Sequence, residues 1–265
     1  MKLAVIGDPV AHSQSPALQR GFLAEAGVQG SYDAIRVPAG EGAGAIADLR
    51  SRGYRGLNVT TPLKEEAMLA CERVPDPTAL LAASVNVVLY QLDGVYGFNT
   101  DGLGALHAIC EALGLEVGPP EQSRVLAGVR VAILGVGPTA RAAIGLLGQH
   151  GANVSVWNRS TERAVAAAEL LGAGVWSLSD VDVVFSALPP QADLGSDVLE
   201  RVRSTRTVID ANYGTRATLG STLGRDVIDG ASMLRHSALA SFRLFSMPRT
   251  ERPGDGESLA MWSGP

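Results

Sequence analysis

The sequence predicts an α/β protein of two domains, the first built on a mixed sheet and the second on a doubly wound parallel sheet. Three observations carry this. Short apolar runs alternate with helical patterns as far as Phe98 and close in a hairpin signal at Asp93-Gly94. A second alternation begins after Asp101 and contains a continuous apolar run, Val129 to Leu134, as a sheet covered on both faces requires. The chain has 265 residues, which is enough for two such domains.

In order, Leu3 to Ile6 reads as a buried strand closed by Gly7-Asp8-Pro9. A helix follows Ser15, with Pro16 at the first helical position, where its missing N–H costs nothing. Ser31 to Val37 reads as a strand, Ala43 to Arg50 as a helix, and Gly56 to Thr60 as a strand. Pro62-Leu63-Lys64-Glu65 opens another helix. Val85 to Tyr90 and Val95 to Phe98 form the hairpin, and the hairpin is what makes the first sheet mixed. In the second half, Leu103 to Leu113 reads as a helix and Gly118-Pro119-Pro120 as a loop. The strand Val129 to Leu134 is then followed by an Ala/Leu-rich helix from Arg141 to Gln149. Val154 to Trp157 (strand), Thr161 to Leu171 (helix), Val181 to Phe185 (strand) and Thr207 to Ala211 (strand) continue the pattern. Residues 232–245 read as a helix, and the Pro- and Gly-bearing tail from Met247 reads as largely loop or disorder.

Composition narrows the function. Hydrophobic residues are 46% and charged residues 18%, a balance that excludes a disordered chain. The net charge of −5, with no run of one sign, excludes the basic stripe of a nucleic-acid binder. No apolar stretch is long enough to span a membrane, so a soluble, cytoplasmic protein is expected. Cys71 and Cys110 lie apart in Ala- and Leu-rich segments and read as two reduced, partly buried thiols. No cluster of metal ligands is apparent.

Gly135-Val136-Gly137-Pro138-Thr139-Ala140 lies between the apolar strand and the helix. The first glycine permits the tight turn, and the second lets a pyrophosphate approach the backbone. The small third residue lets helix and strand pack closely. The helix start then offers N–H groups and a positive dipole end. A packing turn in an ordinary α/β domain is the blander reading of the motif alone. At the end of the next strand, where an NAD enzyme places Asp or Glu, stand Asn158-Arg159-Ser160, with Arg163 beyond. Two guanidiniums there suit a 2′-phosphate, so the expected cofactor is NADP(H) in a Rossmann-type domain.

Three polar clusters occupy the first domain where strands give way to loops or helices. They are His12-Ser13-Gln14-Ser15-Pro16, Asn58-Val59-Thr60-Thr61-Pro62-Leu63-Lys64 and Phe98-Asn99-Thr100-Asp101-Gly102. Hydroxyl and amide groups with one Lys and one Asp suit a small hydroxylated anion. Hydride delivery to a ketone leaves charge on oxygen, which a cationic proton donor such as Lys64 can neutralise.

These motifs together resemble the shikimate dehydrogenase family, and the likeness runs from residue 3 to about 245. The resemblance implies a catalytic pair, Lys64 as proton donor and Asp101 holding its ammonium. It implies that Ser13 and Ser15 bind a carboxylate, and that Asn58, Thr60 and Asn86 fix ring hydroxyls or the reacting oxygen. Tyr213 and Ser237 would also face the substrate. Gly135, Gly137, Pro138, Thr139, Ala140, Asn158, Arg159, Ser160, Arg163, Ser186, Gly230 and Met233 would hold NADP(H). It divides the chain into residues 1–101 with about 232–265 as the substrate-binding and catalytic domain, and 102–231 as the NADP domain. The implied reaction is reduction of 3-dehydroshikimate to shikimate by a monomer or homodimer.

Four departures stand out. Ser237 replaces a family Gln, Val87 replaces the Thr after Asn86, and Ser186-Ala187-Leu188 replaces Asn-Ala-Thr. The usual final helix does not follow Phe245. Two alternatives stay open at this point. One is a dehydrogenase of quinate or a related cyclic hydroxy acid, and the other is a non-catalytic NADP-responsive sensor on the same fold.

Overall fold

The computed structural model describes residues 1–118 and 124–249. Pro119 and Pro120 of the expected loop, and the tail beyond residue 249, lie outside the described residues. Two compact units emerge: Met1–Thr100 with the chain from Ser237, and Asp101–His236.

The first unit holds strands β1 (Lys2–Gly7), β2 (Ser31–Arg36), β3 (Gly56–Val59), β4 (Val87–Gln91) and β5 (Gly94–Phe98). Their order in the sheet is β2-β1-β3-β4-β5. β1 pairs parallel with β2 and β3, whereas β3–β4 and β4–β5 are antiparallel, which makes the sheet mixed. Alternate residues face opposite sides. Ile6, Leu57 and Val88 pack on one side with Ile46 and Leu49 of α2 (Gly42–Ser51) and with Leu63. Leu3, Val5, Tyr32, Val87 and Leu89 pack on the other with Leu244 and Phe245. Those two come from the last helix of the chain, α10 (Ala231–Ser246). Gly56 is a packing glycine, because an added Cβ would lie 2.6 Å from the Phe245 ring.

Helix α1 (Ser15–Glu25) follows β1, and α3 (Lys64–Ala70) follows β3. A further helix, α4 (Pro77–Ala82), was not expected from the apolar pattern. It is only 6 residues long, too short to show periodicity. Its local signals are a capping Asp76, which accepts the Thr78 N–H, and Pro77 at the helix start.

The second unit begins with α5 (Asp101–Leu113) and continues through β6 (Arg130–Leu134), α6 (Pro138–Gln149), β7 (Asn153–Trp157) and α7 (Thr161–Leu171). It goes on with β8 (Gly174–Val175), β9 (Val183–Ser186), α8 (Ser196–Ser204), β10 (Thr207–Asp210) and α9 (Leu219–Leu223). The sheet order β10-β9-β6-β7-β8 is parallel throughout. The chain leaves β6 in one direction to β7 and later crosses to β9 on its other side. The carboxyl end of β6 is therefore a topological switch point, where open α/β sheets place ligands.

Helix α6 starts at Pro138, three residues ahead of the Arg141 expected, because proline is preorganised for a first helical position. Strand β8 and helices α8 and α9 were also not anticipated. β8 is 2 residues and α9 is 5, below the length at which periodicity speaks. Both cysteines are free, and burial pushes the Cys71 thiol up to about 12 and Cys110 to about 11. Among the described residues no helix is long and apolar enough to cross a membrane.

Candidate active site

In the first unit the predicted residues gather at the carboxyl ends of β1, β3 and β5. Ser13 lies in the β1–α1 loop, and its Oγ accepts the Ser15 N–H at 3.3 Å. Ser15 is the first residue of α1. Asn58 sits on β3, and its Oδ1 accepts from Tyr32 Oη at 2.7 Å. Thr60 follows β3, and its N–H donates to Ile6 O at 2.9 Å. Its methyl would lie 2.4 Å from a Cβ on Gly7, which explains the glycine there. Lys64 opens α3 and is partly exposed. Its carbonyl accepts the Val85 N–H at 2.9 Å, which joins α3 to the segment before β4.

Asn86 and Thr100 form a buried pair. Asn86 Oδ1 accepts the Thr100 N–H at 2.8 Å, and Asn86 Nδ2 donates to Thr100 Oγ1 at 3.2 Å. Thr100 Oγ1 in turn meets Ser237 Oγ at 2.8 Å. Ser237, expected among the substrate-facing residues, engages its hydroxyl within the protein and is only 8% exposed. Asn99 is fully buried, and its amide nitrogen donates to the carbonyl and hydroxyl of Ser84.

Asp76 was missed by the sequence reading. Its Oδ2 accepts the Asn99 N–H at 2.7 Å, while Oδ1 accepts the Thr78 N–H at 2.9 Å. One buried carboxylate thus ties the start of α4 to the segment that leads into Thr100 and Asp101. Burial pushes this carboxyl up to about 6, and the N–H groups it accepts pull it the other way. The Asp-Pro pair at 76–77 is a helix-start signal, so the cap was legible although its contact with Asn99 was not. Gln19, also missed, is buried on α1 and donates to Ala238 O and Ser241 Oγ of α10.

In the second unit, Asp101 opens α5, and its Oδ2 accepts from Thr139 Oγ1 at 2.9 Å. Thr139 belongs to the first turn of α6, so the glycine turn and Asp101 share a hydrogen bond. Gly102 permits close packing here, since its Cβ would lie 2.6 Å from Ala142 O. Gly135 has φ +105, a conformation that L side chains rarely adopt. Gly137 caps α6 without a side-chain bond, and no acidic residue lies in the first turn. A Cβ on Gly137 would meet no atom within 4 Å, so this glycine is not explained by internal packing. Ala140 is fully buried against the sheet.

Past β7, Asn158 Nδ2 donates to Ser160 O at 3.1 Å, and Ser160 Oγ caps α7 by accepting the Arg163 N–H. Ser160 Oγ also donates to Glu162 Oε2 at 2.8 Å. Glu162, absent from the sequence-based set, thereby places a carboxylate at the start of α7. Its own backbone N–H and the Ser160 hydroxyl hold it below the usual carboxylate range. Arg159 and Arg163 are exposed beside it.

Ser186 ends β9, and its carbonyl accepts the Ala211 N–H at 2.8 Å. Tyr213 follows β10 and is partly exposed. Gly230 donates to Asn212 O at 2.9 Å, and its Cβ would lie 2.2 Å from Ala211 O. This close approach sets the entry to α10 and places buried Met233 on its first turn. Three residues on, His236 stacks on His107 at 4.3 Å and contacts Glu111 at 2.6 Å.

Residues 5–88 match the family model described as the shikimate dehydrogenase substrate binding domain. A Methanosarcina acetivorans protein, shikimate dehydrogenase (NADP(+)), is 34% identical over 91% of this chain and 91% of its own length. The chain belongs to the shikimate dehydrogenase family. Residues 130–214 match a second model, NADP oxidoreductase coenzyme F420-dependent, whose span includes the glycine turn and the Asn158–Arg163 segment. Shikimate dehydrogenase from Aquifex aeolicus superposes with a TM-score of 0.79 at 26% identity, covering 99% of this chain and 97% of that one. Shikimate 5-dehydrogenase from Thermus thermophilus, in complex with NADP(H) and shikimate, superposes at 0.77 with 30% identity over 99% and 98% of the two chains.

The second unit fits a bound dinucleotide of the kind named for these family members. The open Gly137 and uncapped α6 start follow β6, the two exposed arginines follow its parallel neighbour β7, and internal packing requires none of them.

Proposed function

We propose that this chain is an NADP-dependent shikimate dehydrogenase that interconverts 3-dehydroshikimate and shikimate. One observation carries the reading. Lys64 and Asp101 each stand at the first position of a helix that follows the carboxyl end of a strand in the mixed sheet, and hydroxyl and amide groups cluster with each.

In this reading the first unit and the chain from Ser237 bind substrate, and Asp101–His236 binds the dinucleotide. Ser13 and Ser15 hold the substrate carboxylate. Asn58, Thr60 and Asn86 bind ring hydroxyls. Tyr213 lines the substrate, and Ser237 acts through Thr100. Lys64 donates the proton that neutralises the carbonyl oxygen as it gains charge, an effect worth roughly 10²–10⁴ in rate. Asp101 keeps that lysine in place. NADPH, when bound, supplies the hydride. Gly135, Gly137, Pro138, Thr139 and Ala140 shape the turn for its pyrophosphate, and Asn158, Arg159, Ser160 and Arg163 bind its 2′-phosphate. Ser186, Gly230 and Met233 border the nicotinamide. The cytoplasm is the setting we propose.

A second reading, oxidation of quinate, stands beside it because Ser237 takes the place of the family Gln and its hydroxyl is taken up by Thr100. Both readings are tested by NADPH absorbance with purified protein, NADP⁺ and either acid, with NAD⁺ as control. NADP-dependent oxidation of shikimate in preference to quinate is the expected result. Preference for quinate favours the second reading, and turnover of neither acid sinks both.

A further inference from the structure

Tyr32 is fully buried in the apolar face formed by Leu3, Val5, Val87 and Phe245. On the strand register Tyr32 lies opposite Leu3, and Asn58 lies opposite Val5. Leu3 and Val5 share one face of β1, so Tyr32 and Asn58 lie on that face too, with β1 between them. Strands separated by one neighbour are roughly 10 Å apart, which a phenol reaching across the sheet spans. Its Oη arrives at Asn58 Oδ1, 2.7 Å away. Phenylalanine would fill this face without a desolvation cost, so packing alone gives no reason for the hydroxyl.

A primary amide has one accepting and one donating edge, and whatever binds one edge decides which faces outward. Here the accepting edge is taken. Among the described residues Asn58 Nδ2 donates to no other group, and Asn58 is partly exposed at the end of β3. We infer that Tyr32 is a positioning residue that makes Asn58 a donor-only contact in the substrate site. That corner then accepts a ring substituent through an oxygen lone pair, as in a hydroxyl or carbonyl, and disfavours an ammonium at the same position. The inference rests on the functional reading above and adds a specificity element to it.

The test is a double-mutant cycle in the full chain, with Tyr32→Phe, Asn58→Ala and the double variant assayed for shikimate oxidation. Losing one positioned hydrogen bond should raise the shikimate KM of Tyr32→Phe roughly tenfold, with kcat and the NADP⁺ KM within about twofold. In the Asn58→Ala background the same change should move the KM less than about twofold, because the residue it orients is gone. Equal effects in both backgrounds, or no effect of Tyr32→Phe, overturn the inference. Asn58→Asp is the second variant. It keeps the acceptor for Tyr32 and loses the donors, so its KM should rise at least as far as that of Asn58→Ala, and wild-type KM in Asn58→Asp also overturns the inference. Melting curves for every variant separate loss of fold from loss of orientation. Inactive wild-type protein removes the functional reading and this inference together, whereas additive effects in active protein remove the inference alone.

Discussion

The first unit binds its polar side chains to one another, and the second leaves its glycine turn open. Asn86, Thr100 and Ser237 form a continuous buried chain of hydrogen bonds, and Asp76 and Tyr32 each restrain one neighbour of that region. At α6, by contrast, a Cβ on Gly137 would touch nothing, and Arg159 and Arg163 lie exposed. Under the proposed function, the difference follows from what each side has to recognise. A small polyol offers few groups, so donors and acceptors must be aimed in advance and held by buried partners. A phosphate carries full charge and is read by a helix start and by guanidiniums, which work from exposed positions.

The sharpest break of this comparison is on the substrate side. Lys64→Ala should cut turnover at least roughly 10²-fold, as loss of a proton donor does, while NADPH affinity measured by fluorescence titration is unchanged. Full activity in that variant would remove Lys64 from the mechanism. On the cofactor side, Arg159→Ala with Arg163→Ala should raise the NADP⁺ KM by roughly 10–100-fold, from losing hydrogen bonds to a charged partner. The NAD⁺ KM should not move, and a parallel rise for both cofactors would show that the arginines do not read the 2′-phosphate.

The two classes of glycine give the next test. Gly230→Ala forces a Cβ to 2.2 Å from Ala211 O, so it should cost about 1–3 kcal/mol and lower the melting temperature. Gly137→Ala has open space and should melt close to wild type, yet bind NADPH more weakly in the same fluorescence titration. If both lose stability alike, the open space at Gly137 is not a property of the protein in solution.

The smallest effect concerns Asp76. Burial pushes its carboxyl up to about 6 from an ordinary value of 3.8. Between those values the folded chain holds a proton that the unfolded chain releases. The stabilisation from this group is therefore complete below the unfolded value and is lost as pH rises through about 6. Asp76→Asn removes that dependence. The urea midpoint of wild type relative to Asp76→Asn should accordingly rise as pH falls from neutral toward 4, and a gap that stays constant with pH would contradict the buried titration.

Much of the architecture was legible because strands and long helices announce themselves by period and by turn chemistry. The hairpin at Asp93-Gly94, the apolar run before Gly135 and the proline after Ser15 each stand where β5, β6 and α1 confirm them. The short elements α4, β8 and α9 carry no period, so they were not legible from the apolar pattern, and only the Asp-Pro start of α4 left a local signal. The same division runs through the site. Lys64, Asp101 and Asn58 were legible as candidates because their residue types stand out beside strand ends, and Asn86 entered only through the family resemblance. Tyr32 was not, because an aromatic residue in a strand reads as core.

Taken by itself, the sequence determined the order of most strands and helices, the place of the glycine turn and the chemical types of the candidate groups. Those properties reside in residues close together in the chain. Tertiary structure alone decided which edge of Asn58 faces outward, that Asp76 restrains Asn99, and that Ser237 spends its hydroxyl on Thr100. These contacts join residues 26, 23 and 137 positions apart. A hydrogen bond depends on a separation of about 3 Å and on direction, and only the packed sheet and its helices bring such distant groups to that geometry.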